Sequence, residues 1–200
     1  MGVERTESRS PSGTREQPDA RSDLRLIALI GERDGEAFQE LYRKYQSRLA
    51  RFLSNLVRHP HLVEEVLDDT MMVVWERGGS FKGESKLSTW IFAIAYRKAM
   101  RALLRYDEPV EDTGAENRES GQAGPEDECG SSKLHGLLRQ AMEELSPDHR
   151  AVVDLTYFHE LGYREIAEIL GCPVDTVKTR MFYARRHLRR CLEGELSDWV

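Results

Sequence analysis

Between Asp107 and Glu128 the chain reads DEPVEDTGAENRESGQAGPEDE, with nine Asp/Glu, one Arg and no apolar period. A stretch so rich in Gly, Glu and Pro cannot bury enough apolar surface to offset the entropy of ordering it. The expectation is a flexible acidic linker over 107–130, with folded pieces on either side at 23–106 and 131–192. Polar tails are expected at 1–22 and 193–200. Each piece is small, with room for only a modest core. The segment also relocates the chain's charge. The whole chain sums to −6, but this stretch alone carries −8, so the remainder sums to +2. The acidic total therefore does not exclude a nucleic-acid partner.

Both pieces read as helical. Phe38, Leu41, Tyr42, Tyr45, Leu49, Phe52, Leu53 and Leu56 recur at helical spacing, an amphipathic helix that His59-Pro60 breaks. A second helix from about His61 to Arg77 would bury Val63, Val66, Leu67, Met71 and Val74. Its other face holds Glu64, Glu65, Asp68, Asp69 and Glu76. Gly78-Gly79 ends it, and the loop FKGESKLST leads into a third helix from about Ser88 to Arg105, with Trp90, Ile91, Ile94, Ala95 and Leu103 inward. From Lys82 to Tyr106 there are six Lys/Arg against one Glu. An acidic helix therefore precedes a basic, aromatic loop and helix, and the split points to two different partners. Phe81, Trp90, Phe92 and Tyr96 among cations suit unpaired bases, which stack on aromatics while Lys and Arg track phosphate. The plainer reading places the aromatics in the core, and for Trp90 and Phe92 taken singly it is the favoured one.

The last folded stretch, YREIAEILGCPVDTVKTRMFYARRHLRR from Tyr163 to Arg190, reads as two short helices joined by a tight turn. Ile166, Ala167, Ile169 and Leu170 form the stripe of the first. Gly171 supplies a left-handed stop, and Pro173 delays the restart. Asp175 or Thr176 is expected to cap the second helix. There Val177 and Met181 point inward, leaving Lys178, Thr179, Arg180, Phe182, Arg185 and Arg186 outside. From Cys172 to Leu192 there are six Lys/Arg and one Asp. That favours a DNA-binding helix-turn-helix over a solvated αα-hairpin.

Other classes fare worse. The six His are dispersed, and no nucleophile–base pair or phosphate loop is present, so no catalytic residue is expected. Cys129, Cys172 and Cys191 form no disulfide framework and no paired metal-ligand spacing, so neither a metal nor a cofactor is expected. Cys172 reads as a small core residue. Met1–Ser22 has no apolar run and no stretch approaches the length of a membrane span, so the expectation is a cytoplasmic protein without membrane insertion. A DNA-binding response regulator would share the hairpin, but would carry an alternating strand–helix receiver that this N-terminal half lacks.

The run DDTMMVVWERGGSFKGESKLSTWIFAIAYRKA resembles the second conserved region of the extracytoplasmic-function sigma factors of bacterial RNA polymerase. LSPDHRAVVDLTYFHELGYREIAEILGCPVDTVKTRMFYARRHLRR resembles their fourth. The resemblance implies an all-α protein of two small helical domains joined by the linker, the second ending in a helix-turn-helix. It implies docking on core RNA polymerase, at the clamp helices of the largest subunit and the flap of the second-largest. Glu64, Glu65, Asp68, Asp69, Met72 and Trp75 are the implied docking residues. Phe81, Lys82, Gly83, Glu84, Ser85, Lys86, Thr89, Trp90, Tyr96 and Arg97 match the positions that hold the opened −10 element of promoter DNA. Thr176, Lys178, Thr179, Arg180, Phe182, Tyr183, Arg185 and Arg186 match those that read or clamp the −35 element. The family also implies an anti-sigma partner that occludes both domains.

Overall fold

The computed structural model describes residues 20–107 and 131–196, with side chains over 22–106 and 136–192. The expected linker therefore lies almost wholly outside the described residues, as do 1–19 and 197–200 of the expected tails; 20–22 and 193–196, expected as tail, are helical. Among the described residues the chain is entirely helical: α1 (Ala20–Gly31), α2 (Gly35–Val57), α3 (Pro60–Arg77), a 3₁₀ turn (Gly78–Ser80), α4 (Leu87–Asp107), α5 (Ser131–Glu143), α6 (Pro147–Tyr157), α7 (Tyr163–Leu170) and α8 (Val174–Leu196).

The central helix of the first unit is α2. The Asp34 carboxylate accepts from the amides of Glu36 and Ala37 at 2.8 and 3.0 Å, satisfying two of the orphan donors at the helix start. Its stripe from Leu41 through Tyr45, Leu49 and Phe52 to Leu56 is buried. Arg58, in the left-handed region at φ 65°, ends the helix, and Pro60 opens α3 at a position where its missing N–H costs nothing. α4 packs across α2 and α3, with the Phe52 and Phe92 rings 5.4 Å apart and both essentially inaccessible. Each such ring contributes about 1.5–3 kcal/mol by burial. Phe92 is thus core, while Trp90 is half-buried against Phe81 at 5.4 Å.

Helix α1 has no counterpart in the sequence reading, because its stripe of Leu26, Ile27 and Ile30 spans barely a turn. Two contacts hold it. The Tyr45 hydroxyl donates to Asp23 at 2.6 Å inside the core, where Lys44 also pairs with the same carboxylate. The other contact depends on a missing side chain: a Cβ on Gly78 would lie 2.8 Å from Ile30 Cγ2.

In the second unit α6 starts at Ser146-Pro147, and α7 and α8 form the expected helix-turn-helix. Gly171 sits at φ +64° and its amide returns to the Ala167 carbonyl. The cap differs from expectation. α8 already begins at Val174, with the amides of Thr176 and Val177 bonded to the Pro173 carbonyl, so Asp175 lies within the first turn. The fixed φ of Pro173 starts the helix two residues early.

The two units also pack on each other: α6 lies against α2, and α7 against α4. Asn55 donates to Asp154 at 2.5 Å, and the His159 ring is edge-on to Phe92 at a centroid distance of 4.8 Å. Arg150, buried, donates to the carbonyls of Asn55 and Leu56 on α2 and of Met142, Glu143 and Leu145 on its own side. The Tyr96 hydroxyl donates to Asp148 at 2.5 Å, and Lys86 pairs with Glu165 at 2.7 Å.

Candidate nucleic-acid interface

The buried stripe of α8 is Val177, Met181 and Ala184, continued by Leu188. It fixes what the helix presents outward. Lys178, Thr179, Phe182, Tyr183 and Arg186 are exposed, and the Phe182 and Tyr183 rings meet at 5.5 Å. Two large aromatics at 62% and 53% exposure among cations are unusual for a solvated face. Thr176 is half-buried in the first turn. Lys178 pairs with Asp175 at 2.9 Å and the Thr179 hydroxyl donates to the Asp175 carbonyl at 2.8 Å, both within the helix. Two further outward residues are engaged by α6. The Arg185 guanidinium donates to the Tyr157 hydroxyl at 3.0 Å. Arg180, on the flank of the stripe, is half-buried and ion-paired with Asp148, the carboxylate that also accepts from Tyr96. Periodicity placed Arg180 outside; the acceptor on α6 pulls it in.

The loop before α4 brings together Phe81, Lys82, Gly83, Glu84, Ser85 and Lys86, and Trp90 joins it from the first turn of the helix. Gly83 takes φ +72°, a conformation other residues rarely adopt. Trp90 and Arg97 are seven residues apart, so they share one face of α4, with Arg97 exposed. Thr89 and Tyr96 share another face and are buried, only 4% and 7% exposed. Burial first, and then the hydrogen bond to Asp148, push the Tyr96 hydroxyl's pKa well above its ordinary value, so it remains a donor. The ten candidates therefore divide into an open group around the loop and two residues turned away from it.

On α3, Glu64, Asp68 and Met72 lie one turn apart and are exposed. Glu65 and Asp69 are met by Arg105 and Lys98 of α4 at 3.4 and 2.8 Å. The acidic stripe is thus partly neutralised by the basic helix beside it. Trp75 packs edge-on to Phe38 at 5.2 Å and lies under the Arg33 guanidinium.

The sequence reading passed over one further cluster. His187 and Cys191, one turn apart on α8, converge with Glu144 at the end of α5, the one group of three potential metal-ligating side chains among the described residues. The H-x₃-C spacing was visible, but Glu144 is 43 positions before His187 and only the fold brings it near.

The comparisons with known proteins agree with this architecture. The Sigma-70 region 2 family model matches residues 41–108, and the Sigma-70 region 4 model matches 135–188. The chain is 30% identical over 182 residues to the ECF RNA polymerase sigma-E factor of Haemophilus influenzae, across 86% of this chain and 96% of that one. With the sigma-E factor of Salmonella typhimurium the identity is 32%, across 82% and 91%. The sigma factor RpoE in its complex with the anti-sigma factor NepR from Bartonella quintana is a structural match at TM-score 0.59 and 25% identity, across 78% of this chain and 96% of that one. CnrH in complex with the cytosolic domain of CnrY matches in fold at TM-score 0.64 and 22% identity, across 86% and 98%. An outward basic and aromatic helix after a Gly turn, a second open basic loop on a separate helical unit, and both region matches in order lead to one conclusion: the chain belongs to the extracytoplasmic-function sigma factors, which direct RNA polymerase to promoters to start transcription.

Proposed function

We propose that 23–106 is the module that docks on core polymerase and holds the −10 element, and 131–192 the module that reads the −35 element. The observation that carries this is the outward face of α8, where Lys178, Thr179, Phe182, Tyr183 and Arg186 stand clear of the core. An α-helix of that width enters the major groove, its N-terminal residues reaching base edges and its later cations the phosphates. Phe81, Trp90 and the cationic loop 82–86 would receive the opened −10 strand. There an unstacked base regains by stacking what its extrusion cost. The chain itself makes and breaks no bonds; it redistributes binding energy between polymerase and promoter. It works in the cytoplasm, and among the described residues no helix is long and apolar enough to cross a membrane.

Docking on core polymerase falls to Glu64, Asp68, Met72 and the edge of Trp75: Glu65 and Asp69 are already ion-paired with α4, whereas Asp68 meets only the neutral Tyr42 hydroxyl among the described residues. The test is a pull-down on core polymerase with Glu64→Lys/Asp68→Lys. Retention should be lost while helicity is kept; unchanged retention would return these acids to a merely solvated face. An anti-sigma partner fits the same reading. An apolar groove of about 780 Å³ between α2, α5, α6 and α8 is lined by Leu138, Met142, Val153, Tyr157, Phe158 and Leu188, the kind of surface that receives a partner's helix. Co-purification from the native cell should recover a small partner alongside the polymerase subunits.

A further inference from the structure

We propose that Glu144, His187 and Cys191 form a binding site for one divalent transition-metal ion of the zinc class, clamping the end of α8 to the turn after α5. His187 Nε2 lies 3.2 Å from Glu144 Oε2, Cys191 Sγ lies 3.5 Å from His187 Nε2, and Cys191 Sγ lies 3.7 Å from Glu144 Oε2. Zinc bonds of about 2.3 Å to sulfur, 2.05 Å to nitrogen and 2.1 Å to oxygen at tetrahedral angles separate such donors by about 3.4–3.6 Å. The three side chains already stand within a few tenths of an ångström of those separations.

The donor chemistry selects the ion. A thiolate and an imidazole disfavour magnesium and calcium, which take oxygen ligands, and one carboxylate beside them suits zinc, cobalt or nickel. Thiolate and carboxylate together carry two negative charges, which neutralise a divalent cation. The proton displaced from the thiol goes to solvent. Glu144 is 53% exposed, so a fourth position opens outward to water or to a ligand brought by a partner. His187 Nδ1 currently faces the Arg190 guanidinium at 3.3 Å. When Nε2 ligates the metal, Nδ1 carries the proton, and the exposed Arg190 side chain must swing away. The consequence for the fold is local. Glu144 directly follows Glu143, whose carbonyl receives Arg58 and Arg150 from the contact between the two helical units. An ion in the site therefore ties the C-terminal half of the DNA-reading helix to that contact.

The experiment is a Co²⁺ and Zn²⁺ titration of the reduced full-length chain. A thiolate-to-cobalt charge-transfer band and d–d bands of tetrahedral intensity should saturate at one equivalent, and Zn²⁺ should displace them. Loss of a group that merely supports a metal ligand costs about 10–100-fold in affinity, so Cys191→Ser, His187→Ala and Glu144→Gln should each cost at least about 100-fold. Cys129→Ser/Cys172→Ser should keep the bands. None of the three ligand positions is buried in the core, and circular dichroism of each variant checks that it remains helical. Absence of a thiolate band would overturn the proposal, leaving only a hydrogen-bonded trio. So would a band that survives Cys191→Ser, or one lost with Cys172 in place of Cys191.

Discussion

Arg150 is 6% exposed, a place where an unpaired charge would be ruinous. Its guanidinium is tolerated because two helices end around it. Asn55 and Leu56 belong to the last turn of α2, and Met142, Glu143 and Leu145 to the end of α5 and the turn beyond; all five carbonyls accept from Arg150. Helix C-termini leave carbonyls without partners and carry partial negative charge, so one cation satisfies both ends at once. Desolvation, and then the neighbouring Arg58, lower its pKa to about 10, which still leaves it charged at neutral pH. Arg150→Met should therefore destabilise the chain by about 2–4 kcal/mol, read as a lower urea midpoint, since it strands carbonyls that a charged donor had satisfied. Arg150→Lys should recover only part, because an ammonium cannot span acceptors on two helices. A midpoint unmoved in both would show that water replaces the guanidinium without loss.

Among the elements, α8 was the most legible and α1 the least. The inward pair Val177 and Met181 and the Gly171 turn are local signals that place both the helix and its buried side, to which the structure adds Ala184. α1 offers too short a stripe, and its place depends on Asp23 meeting Tyr45 and on the bare backbone of Gly78, neither of which a local pattern reports. The open part of the candidate interface was legible for the same reason as α8. Arg180 and Tyr96 were not, because a period gives a side chain's direction and says nothing of a partner waiting there, and Thr89 is buried by the packing of the units around it. The outward face of α8 carries its own prediction. Lys178 lies in the first turns, where a recognition helix meets base edges, and Arg186 two turns later, where it meets phosphate. On run-off templates, Lys178→Ala should cost about 1–3 kcal/mol with an intact −35 element and little when that element is scrambled. Arg186→Ala should weaken both templates alike. Equal losses for both variants on both templates would remove base readout from Lys178.

At the scale of the whole molecule, the two units are packed in a way that a promoter cannot use. The −35 and −10 elements are centred about 25 base pairs apart, which at about 3.4 Å per pair is about 85 Å of duplex. Yet α7 rests directly on α4, with Lys86 of the loop before α4 paired to Glu165 and Tyr96 bonded to Asp148. On the proposed assignment of one element to each unit, the units must separate for both to be held together. The 23 residues from 108 to 130 reach about 78 Å when extended, enough once the width of each unit is added. Beside the Arg150 bonds to the α2 carbonyls and the Asn55–Asp154 bond, the remaining polar cross-links are modest. The exposed Lys86–Glu165 pair is worth at most about 1 kcal/mol, and the Tyr96 hydrogen bond to a carboxylate about 1.5 kcal/mol or more. Asp148→Ala/Glu165→Ala should therefore move the equilibrium toward the open form by about 2 kcal/mol, roughly thirtyfold. The Arg150 bonds to the α2 carbonyls, the Asn55–Asp154 bond and the contact of His159 with Phe52 and Phe92 would remain and keep some molecules closed. Fluorophores on the exposed faces of α3 and α8 would read this directly. Wild-type chain alone should give a short distance, core polymerase with promoter a long one, and the double variant a mixture shifted toward long. If the distance in the transcribing complex equals that in the free chain, then separation is not part of initiation and the packing of α7 on α4 survives on the promoter.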